Sequence, residues 1–413
     1  MRDAWIVGIG MTPFGRFPSE SVASLAQRAA REALADAGVQ ASLVQSIVFG
    51  NATQGALEGQ HGIRGQAALD GAGFGNAPVI NVENACASAT TALNLAQAMV
   101  SSGAHDCVLA IGAEKMVMAD PARSMAAFEG SWDLSRREQT IAELVAMGRG
   151  MTVPPGAETG EPHSVFMDVY AAFCRHHMAR FGTTQRQMAA VSAKNHRHSV
   201  DNPRSQYRKP FTIDEVLAAR PIAWPLTLPM CSPISDGAAA ALVCSQDLVE
   251  RLGLGARAVR VRASVLMSGD RRSPDDLDNH VARKASRRAY EIAALGPEDV
   301  DVVECHDATA FGEILQSEML GLFPLGEGGP AAERGETTLG GRIPFNPSGG
   351  LESKGHPIGA TGLGQVFEIV SQLRGEAGAR QVQGARIGIV ENGGGLRGIE
   401  EAAVAITILE RGA

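Results

Sequence analysis

Residues 79–93 read Val79-Ile80-Asn81-Val82-Glu83-Asn84-Ala85-Cys86-Ala87-Ser88-Ala89-Thr90-Thr91-Ala92-Leu93, and the order of residue types there decides the fold class. Val79–Val82 is a short apolar run of strand type. From about Ala87 to Ser102, small and apolar residues follow at helical spacing. A strand that passes at once into a helix is half of a βαβ unit, and such units build mostly parallel sheets. Cys86 stands at the turn. A thiol at a helix N-terminus meets the positive end of the dipole and unpaired N–H groups. Both favour the thiolate, which is the reactive form. Small neighbours on either side leave room for an acyl group. The plainer alternative is a buried structural cysteine, the reading given to the other five cysteines.

The same alternation runs outward from this stretch. Trp5–Ile9 reads as a strand, and Ser21–Ala37 as a helix stopped by Gly38. Ser46–Gly50 and Cys107–Ile111 are short buried strands. After residue 257 the order returns, with a strand at Val259–Leu266, a helix at His280–Ala294 and a strand at Val300–Cys305. A helix at Ile358–Leu373 and strands at Arg386–Val390 and Ala402–Leu409 complete it.

Individual residues match across the two halves. Gly50-Asn51-Ala52-Thr53 corresponds to Cys305-His306-Asp307-Ala308-Thr309, and the helix start at Cys86 to His356-Pro357-Ile358-Gly359-Ala360-Thr361. The strand ending in Ala113-Glu114 corresponds to the one ending in Val390-Glu391. Matches in one order point to an internal duplication rather than chance α/β similarity. The halves are 1–256 and 257–413, and an inserted loop domain, about 115–235, breaks the pattern of the first. In open α/β sheets, ligands sit beyond the carboxyl ends of the strands. Two related halves can bring Cys86, His306, His356 and Glu391 around one cleft.

Composition narrows the chemistry. With 45% hydrophobic and 20% charged residues the chain is an ordinary globular one. A net charge of −8 argues against a nucleic-acid partner. The N-terminal Met1-Arg2-Asp3-Ala4-Trp5 run opens a strand rather than a signal peptide. No apolar run reaches the ~18 residues that span a bilayer. The cysteines form no CxxC pair and no metal-ligand spacing, so no metal is expected, and they suit a reducing, cytoplasmic setting. The strong basic cluster, Lys194, His196, Arg197, His198, Arg204, Arg208 and Lys209, is either a solvated face or a site for a diphosphate-bearing ligand.

Three further positions carry candidate chemistry. His356, held between Gly355 and Pro357 at the start of a helix, could take the proton of Cys86. His306, at the end of a buried strand, could stabilise developing negative charge. Glu391 leads into a glycine turn whose N–H groups, at Gly393 above all, could form an oxyanion hole with that of Cys86.

Together these residues resemble the thiolase superfamily. The likeness rests on the NxxCAS elbow at Cys86, Ser235-Asp236-Gly237-Ala238-Ala239-Ala240, Gly355–Gly362 and the terminal glycine triplet. The pair His306-Asp307 is similar to the sterol-carrier-protein-thiolase branch. The resemblance implies the thiolase fold, two duplicated βαβαβαββ halves in a five-layer αβαβα sandwich, and a homodimer. It implies a cysteine nucleophile, coenzyme A as co-substrate and no bound cofactor. Cys86 would cleave a 3-oxoacyl-CoA through an acyl-cysteine, with Arg197, Arg204, Arg208 and Lys209 as the CoA-binding candidates. The second cysteine of most thiolases is absent, since Glu391 and Ala308 stand at its two possible places. Glu391 then either carries the proton or only braces its turn, a water doing the transfer. The run from His306 to Glu313 resembles a bacterial subgroup, some members of which work with a small zinc-ribbon/OB-fold subunit. Within that subgroup an aromatic or branched substrate such as benzoylsuccinyl-CoA ranks first. The alternatives are a retro-aldolase on a CoA thioester, a synthase acting on acyl carrier protein, and a non-catalytic acyl-CoA-binding subunit.

Overall fold

A computed structural model describes residues 2–157 and 163–412; residues 158–162 of the inserted stretch lie outside it. Nine strands carry the architecture: β1 Ala4–Met11, β2 Ser46–Gly50, β3 Val79–Val82, β4 Cys107–Glu114, β5 Gly237–Ser245, β6 Val259–Ser268, β7 Val302–Glu304, β8 Ile387–Arg397 and β9 Glu400–Arg411. The helices used below are α1 Val22–Ala37, α2 Ser88–Ser101, α3 Val165–Phe181, α4 Gln185–His198, α5 Val281–Ala293, α6 Ala310–Met319 and α7 Thr361–Arg374.

The strand order is β3-β2-β4-β5-β1-β6-β9-β8-β7. It reads as one pattern used twice. In the first half β1–β5 and β5–β4 are antiparallel, and β4–β2 and β2–β3 parallel. In the second half β6–β9 and β9–β8 are antiparallel and β8–β7 parallel. The counterpart of β3 is reduced to one parallel bridge, Val303 to Phe345. The halves meet at a seam of two residue pairs, Trp5–Arg260 and Ile6–Val259. Five layers result. Helix α1 covers the outer face of the first half, α2 and α7 fill the space between the halves, and α5 covers the outer face of the second.

Local chemistry accounts for the seating of these helices. Ser21 caps α1 reciprocally with Ser24, and Gly38 closes it in the left-handed conformation. The buried stripe Leu25, Ala26, Ala29, Ala30 and Ala33 then lies directly on β1. It can do so because β1 carries glycines: a Cβ on Gly10 would stand 2.1 Å from the carbonyl oxygen of Ala29. Side-chain-to-backbone caps of this kind are worth about 0.5–2 kcal/mol.

Three local expectations change. The glycine triplet is not a turn: Gly393 and Gly394 pair with Val404 and Ala403 inside the β8–β9 ladder, and the chain reverses at Gly398. Helix α7 starts at Thr361, so His356 lies in the loop before it. Strand β5, Gly-Ala-Ala-Ala-Ala-Leu-Val-Cys-Ser, had no strand signal because alanine favours helix; both of its neighbours bury it, and packing decides. Among the described residues no helix is long and apolar enough to cross a membrane.

Candidate active site

Cys86 sits on a strained elbow between β3 and α2. Ala85, a non-glycine residue, holds φ +47°, a conformation that costs about 1–3 kcal/mol. Three hydrogen bonds hold it there. The Ser88 hydroxyl donates to the Ala85 carbonyl at 2.7 Å and accepts from the Asn84 N–H at 2.9 Å, and Asn84 Nδ2 donates to Thr91 Oγ1 at 2.9 Å. Strand β8 presses against the turn, since a Cβ on Gly394 would lie 2.2 Å from the Asn84 carbonyl oxygen. This close approach is what the glycine triplet provides.

The second half delivers two imidazoles to the same point. The loop carrying His356 is anchored by its N–H, which donates to Ser235 Oγ at 2.9 Å. Asp236 in turn accepts the N–H groups of Met116 and Val117, both at 2.8 Å. The Ser-Asp-Gly run therefore positions backbone rather than touching a ligand. His306 follows β7, and its ring centroid lies 5.2 Å from that of His356. Cys86 Sγ and one ring nitrogen of each histidine all lie within 4.8 Å of one another. A thiol with two imidazoles is a donor set that zinc accepts, and it is equally a nucleophile with a base.

Hydrogen bonding sets the tautomer of His356. Thr361 Oγ1 donates to the Pro357 carbonyl at 3.1 Å, so it accepts from His356 Nδ1 at 2.7 Å. The proton is therefore on Nδ1 and the lone pair on Nε2. Burial, with neighbouring His306, holds the His356 pKa well below its ordinary value, and burial alone lowers that of His306 to about 4. The Cys86 thiol is pushed up to about 12, first by burial and then by the nearby Glu114 carboxylate. Its own N–H and that of Gly395 point at the sulfur and pull the other way without prevailing. The expected resting thiolate is thus corrected to a neutral thiol facing a neutral imidazole. The helix begins at Ser88, two residues on, which weakens the dipole's hold on Cys86.

The trio opens into a cavity of about 310 Å³. Its walls are apolar and aromatic, with Met125, Phe128, Phe166, Phe173 and Phe311 among them. Helix α3 from the inserted stretch supplies much of one wall and α6 another. Arg220 and Leu228 also line it.

Two sequence expectations do not converge on this cavity. Glu391 is fully buried and is not among the lining residues; its Oε2 accepts the His306 N–H at 2.8 Å. Its counterpart Glu114 does the same in the first half, accepting the Ala52 N–H at 2.9 Å. The parallel with Glu114 favours the brace over the proton carrier, the two roles expected of Glu391, and its Oε1 is buried without a partner. Burial raises its pKa well above the usual carboxylate range. Glu391→Gln is expected to keep the fold and carbon–carbon cleavage, with a fall of no more than about tenfold from a loosened His306. Loss of cleavage with Cys86 acylation intact would restore Glu391 as the proton carrier.

The basic cluster disperses. Lys194 is buried in an ion pair with Glu313 at 2.7 Å, Arg204 pairs with Glu32 at 3.1 Å, and Lys209 lies over the Phe211 ring. Arg208 donates to the Val200 carbonyl, and Arg197 is exposed. His196 and His198 are buried and held neutral by desolvation. None of Arg197, Arg204, Arg208 or Lys209 lines the cavity.

Three lining residues carried no signal in the sequence. Tyr170, on α3, lines the cavity together with Cys86 and Glu401, and burial, with those two groups adding to it, pushes its phenol pKa up. Glu401 lies over Gly393, where a Cβ would come 2.8 Å from its Cγ. Cys231 lines the same cavity, its Sγ 3.5 Å from the Thr227 carbonyl oxygen. The glycine whose N–H reaches the thiol is Gly395; Gly393 lines the cavity two residues earlier.

Known proteins share this layout. Residues 4–247 match "Thiolase, N-terminal domain" and residues 268–409 "Thiolase C-terminal domain-like". Acetyl-CoA acetyltransferase of Methanothermobacter thermautotrophicus is 40% identical over 96% of this chain and 98% of its own. Human sterol carrier protein 2 is 37% identical over 95% and 70%. Benzoylsuccinyl-CoA thiolase subunit BbsB of Thauera aromatica is 35% identical over 92% of each. Among solved structures, the Ltp2–ChsH2(DUF35) aldolase superposes with a TM-score of 0.77 at 23% identity, over 99% of this chain and 98% of that one, a likeness of fold alone. The chain belongs to the thiolase superfamily, in its sterol-carrier-protein-thiolase-like branch.

Proposed function

We propose that this thiolase-family acyltransferase cleaves, or in reverse forms, a 3-oxoacyl-CoA by CoA-dependent thiolysis through acyl-Cys86. The observation that carries the reading is the trio within 4.8 Å on an apolar cavity. As substrate binds, the Cys86 proton passes to His356 Nε2 and the sulfur attacks the C3 carbonyl. The C2–C3 bond breaks, leaving acyl-Cys86 and a carbanion on the departing thioester. That carbanion takes the proton from His356. The departing thioester oxygen lies against His306, whose buried Nε2 has no partner within the protein. The N–H groups of Cys86 and Gly395 receive the oxygen at the acyl carbon. Free CoA then gives its proton to His356 and takes the acyl group, and the proton returns to Cys86. One histidine used twice does the work of the missing second cysteine.

The aromatic and methionine lining favours a bulky, aromatic or branched acyl group, the broad class to which the benzoylsuccinyl-CoA in the name of the Thauera relative belongs. A retro-aldolase reading has one specific support, Tyr170 in the same cavity as Cys86. Following carbon–carbon cleavage with and without free CoA separates the two. Thiolysis stops without CoA, whereas continued turnover in its absence overturns the acyltransferase reading.

The assembly proposed is a homodimer joined by a small zinc-ribbon/OB-fold subunit, on the pattern of the DUF35-containing neighbour. Strand β3 is the last strand of the sheet and carries exposed Ile80, and exposed Ile63 lines a small pocket with Asn81 and Val82 of the same strand. An uncovered apolar edge invites pairing with a second copy. Ile80→Lys is expected to shift the sedimenting species from dimer to monomer. A wild-type chain that sediments as a monomer at micromolar concentration contradicts the dimer.

A further inference from the structure

One wall of the acyl cavity departs from its apolar character. It is built where the N-terminus of α5, the middle of α6 and the start of β9 meet, on elements other than those bearing Cys86, His306 and His356. His280, Gln316 and Glu401 line it, beside Leu277 and Pro274. His280 and Gln316 are only 3% and 2% exposed.

Each of the three presents a polar atom without a partner. The Ala282 N–H donates to His280 Nδ1 at 3.2 Å, so the ring proton is on Nε2. Nε2 stands 3.8 Å from Glu401 Oε2, beyond hydrogen-bond reach. Glu401 Oε1 accepts from Gln316 Nε2 at 3.1 Å, while Glu401 Oε2 and Gln316 Oε1 are buried and unpaired. Neighbouring charges are already matched. Arg272 Nε pairs with Glu400 at 2.5 Å, and Glu400 also accepts the N–H groups of Asp270 and Val281, both at 3.0 Å. Desolvation lowers the His280 pKa to about 3 and raises that of Glu401, so this wall offers no net positive charge.

One donor and two acceptors left unpaired in an apolar cavity define a complement. A methyl group would leave all three unsatisfied, each at the cost of its desolvation. A carboxylate would accept from His280 but face Gln316 Oε1 in an apolar wall where the nearby Arg272 is already paired with Glu400, leaving its charge unmatched. A hydroxyl accepts from the ring N–H and donates to Glu401 or Gln316. We propose that His280, Gln316 and Glu401 form a recognition subsite for a hydroxyl on the acyl group, so that the substrates are bulky apolar 3-oxoacyl thioesters hydroxylated away from the thioester. This rests on the thiolysis reading and specifies its substrate class. Given that chemistry, a hydroxylation or hydration must precede this enzyme.

The test compares matched substrates with the full-length protein: 3-oxo-3-phenylpropanoyl-CoA against its para-hydroxyphenyl analogue, and 3-oxodecanoyl-CoA against its terminally hydroxylated analogue. A site built to bond a hydroxyl discriminates strongly against its absence, so kcat/KM is expected to favour the hydroxylated member of at least one pair by about tenfold or more. In Gln316→Leu and in Glu401→Gln the ratio is expected to fall towards one, and using both guards against one variant misfolding. A ratio within about twofold of one for both pairs, or a preference untouched by both substitutions, overturns the subsite and shows water filling the gap. Intact mass after incubation with the plain substrates separates the two levels. If Cys86 is acylated without preference, only the subsite fails; if no substrate acylates the protein, the thiolysis reading fails and the subsite with it.

Discussion

Cys86→Ala is expected to abolish acyl transfer and leave the fold unchanged. Removal of a nucleophile from a cooperating set lowers turnover by roughly 10⁵–10⁶-fold. The structural cost is small, because the elbow is held by Ser88, Asn84 and Thr91 rather than by the sulfur. Losing one half-buried sulfur costs about 1 kcal/mol. Thermal unfolding with and without the substitution checks the second half of this statement and a thiolysis assay the first. Iodoacetamide labelling gives an independent view. Cys107, Cys174, Cys244 and Cys305 are buried, while Cys86 and Cys231 face the cavity. Label is expected on Cys86 first, because His356 is beside it, and on Cys231 only later. Equal labelling of all six, or an active Cys86→Ala protein, contradicts the assignment.

His356→Ala carries the next largest effect, a loss of about 10²–10⁴-fold in acylation, the usual contribution of a general base. The pH dependence identifies the cause. With the thiol pushed up to about 12, almost no thiolate exists at neutral pH without a base. Alkylation of Cys86 in the variant should therefore climb with pH through the whole range below about 12, following hydroxide. In the wild type His356 takes the proton directly, and the rate at neutral pH is far higher. His306→Ala is expected to lower thiolysis while leaving alkylation near the wild-type rate, since it holds an oxygen rather than the thiol proton. The opposite pattern exchanges the two roles.

Much of this was legible in the residue order. The strand-to-helix passage at residues 79–93 and its echo before Thr361 exposed the duplication, and pseudo-symmetry then placed both histidines beside Cys86. What stayed hidden depends on contacts across the ladder or between halves. Glu401 is invisible as a site residue because its place is set by the absence of a side chain on Gly393, eight positions earlier and across the turn. Glu391 looked chemical by position; its match to Glu114 was legible in the residue order, but what the two carboxyl groups hold shows only in their backbone bonds. The basic run around Lys194 failed for a different reason. On α4, Lys194, His196 and His198 are buried, Lys194 against Glu313, and only Arg197 is exposed, while Arg204, Arg208 and Lys209 lie beyond the helix, so no common surface exists. The thiol's protonation state also eluded the sequence, since the helix dipole could be read but the burial and the facing Glu114 could not.

The most direct measurement is intact-protein mass spectrometry after brief exposure to a 3-oxoacyl-CoA without free CoA, followed by peptide mapping. The expected result is a single added acyl group on the peptide containing Cys86, discharged when CoA is supplied. A protein that consumes the substrate with no adduct on Cys86, or with the acyl group on another residue, would contradict thiolysis through this cysteine.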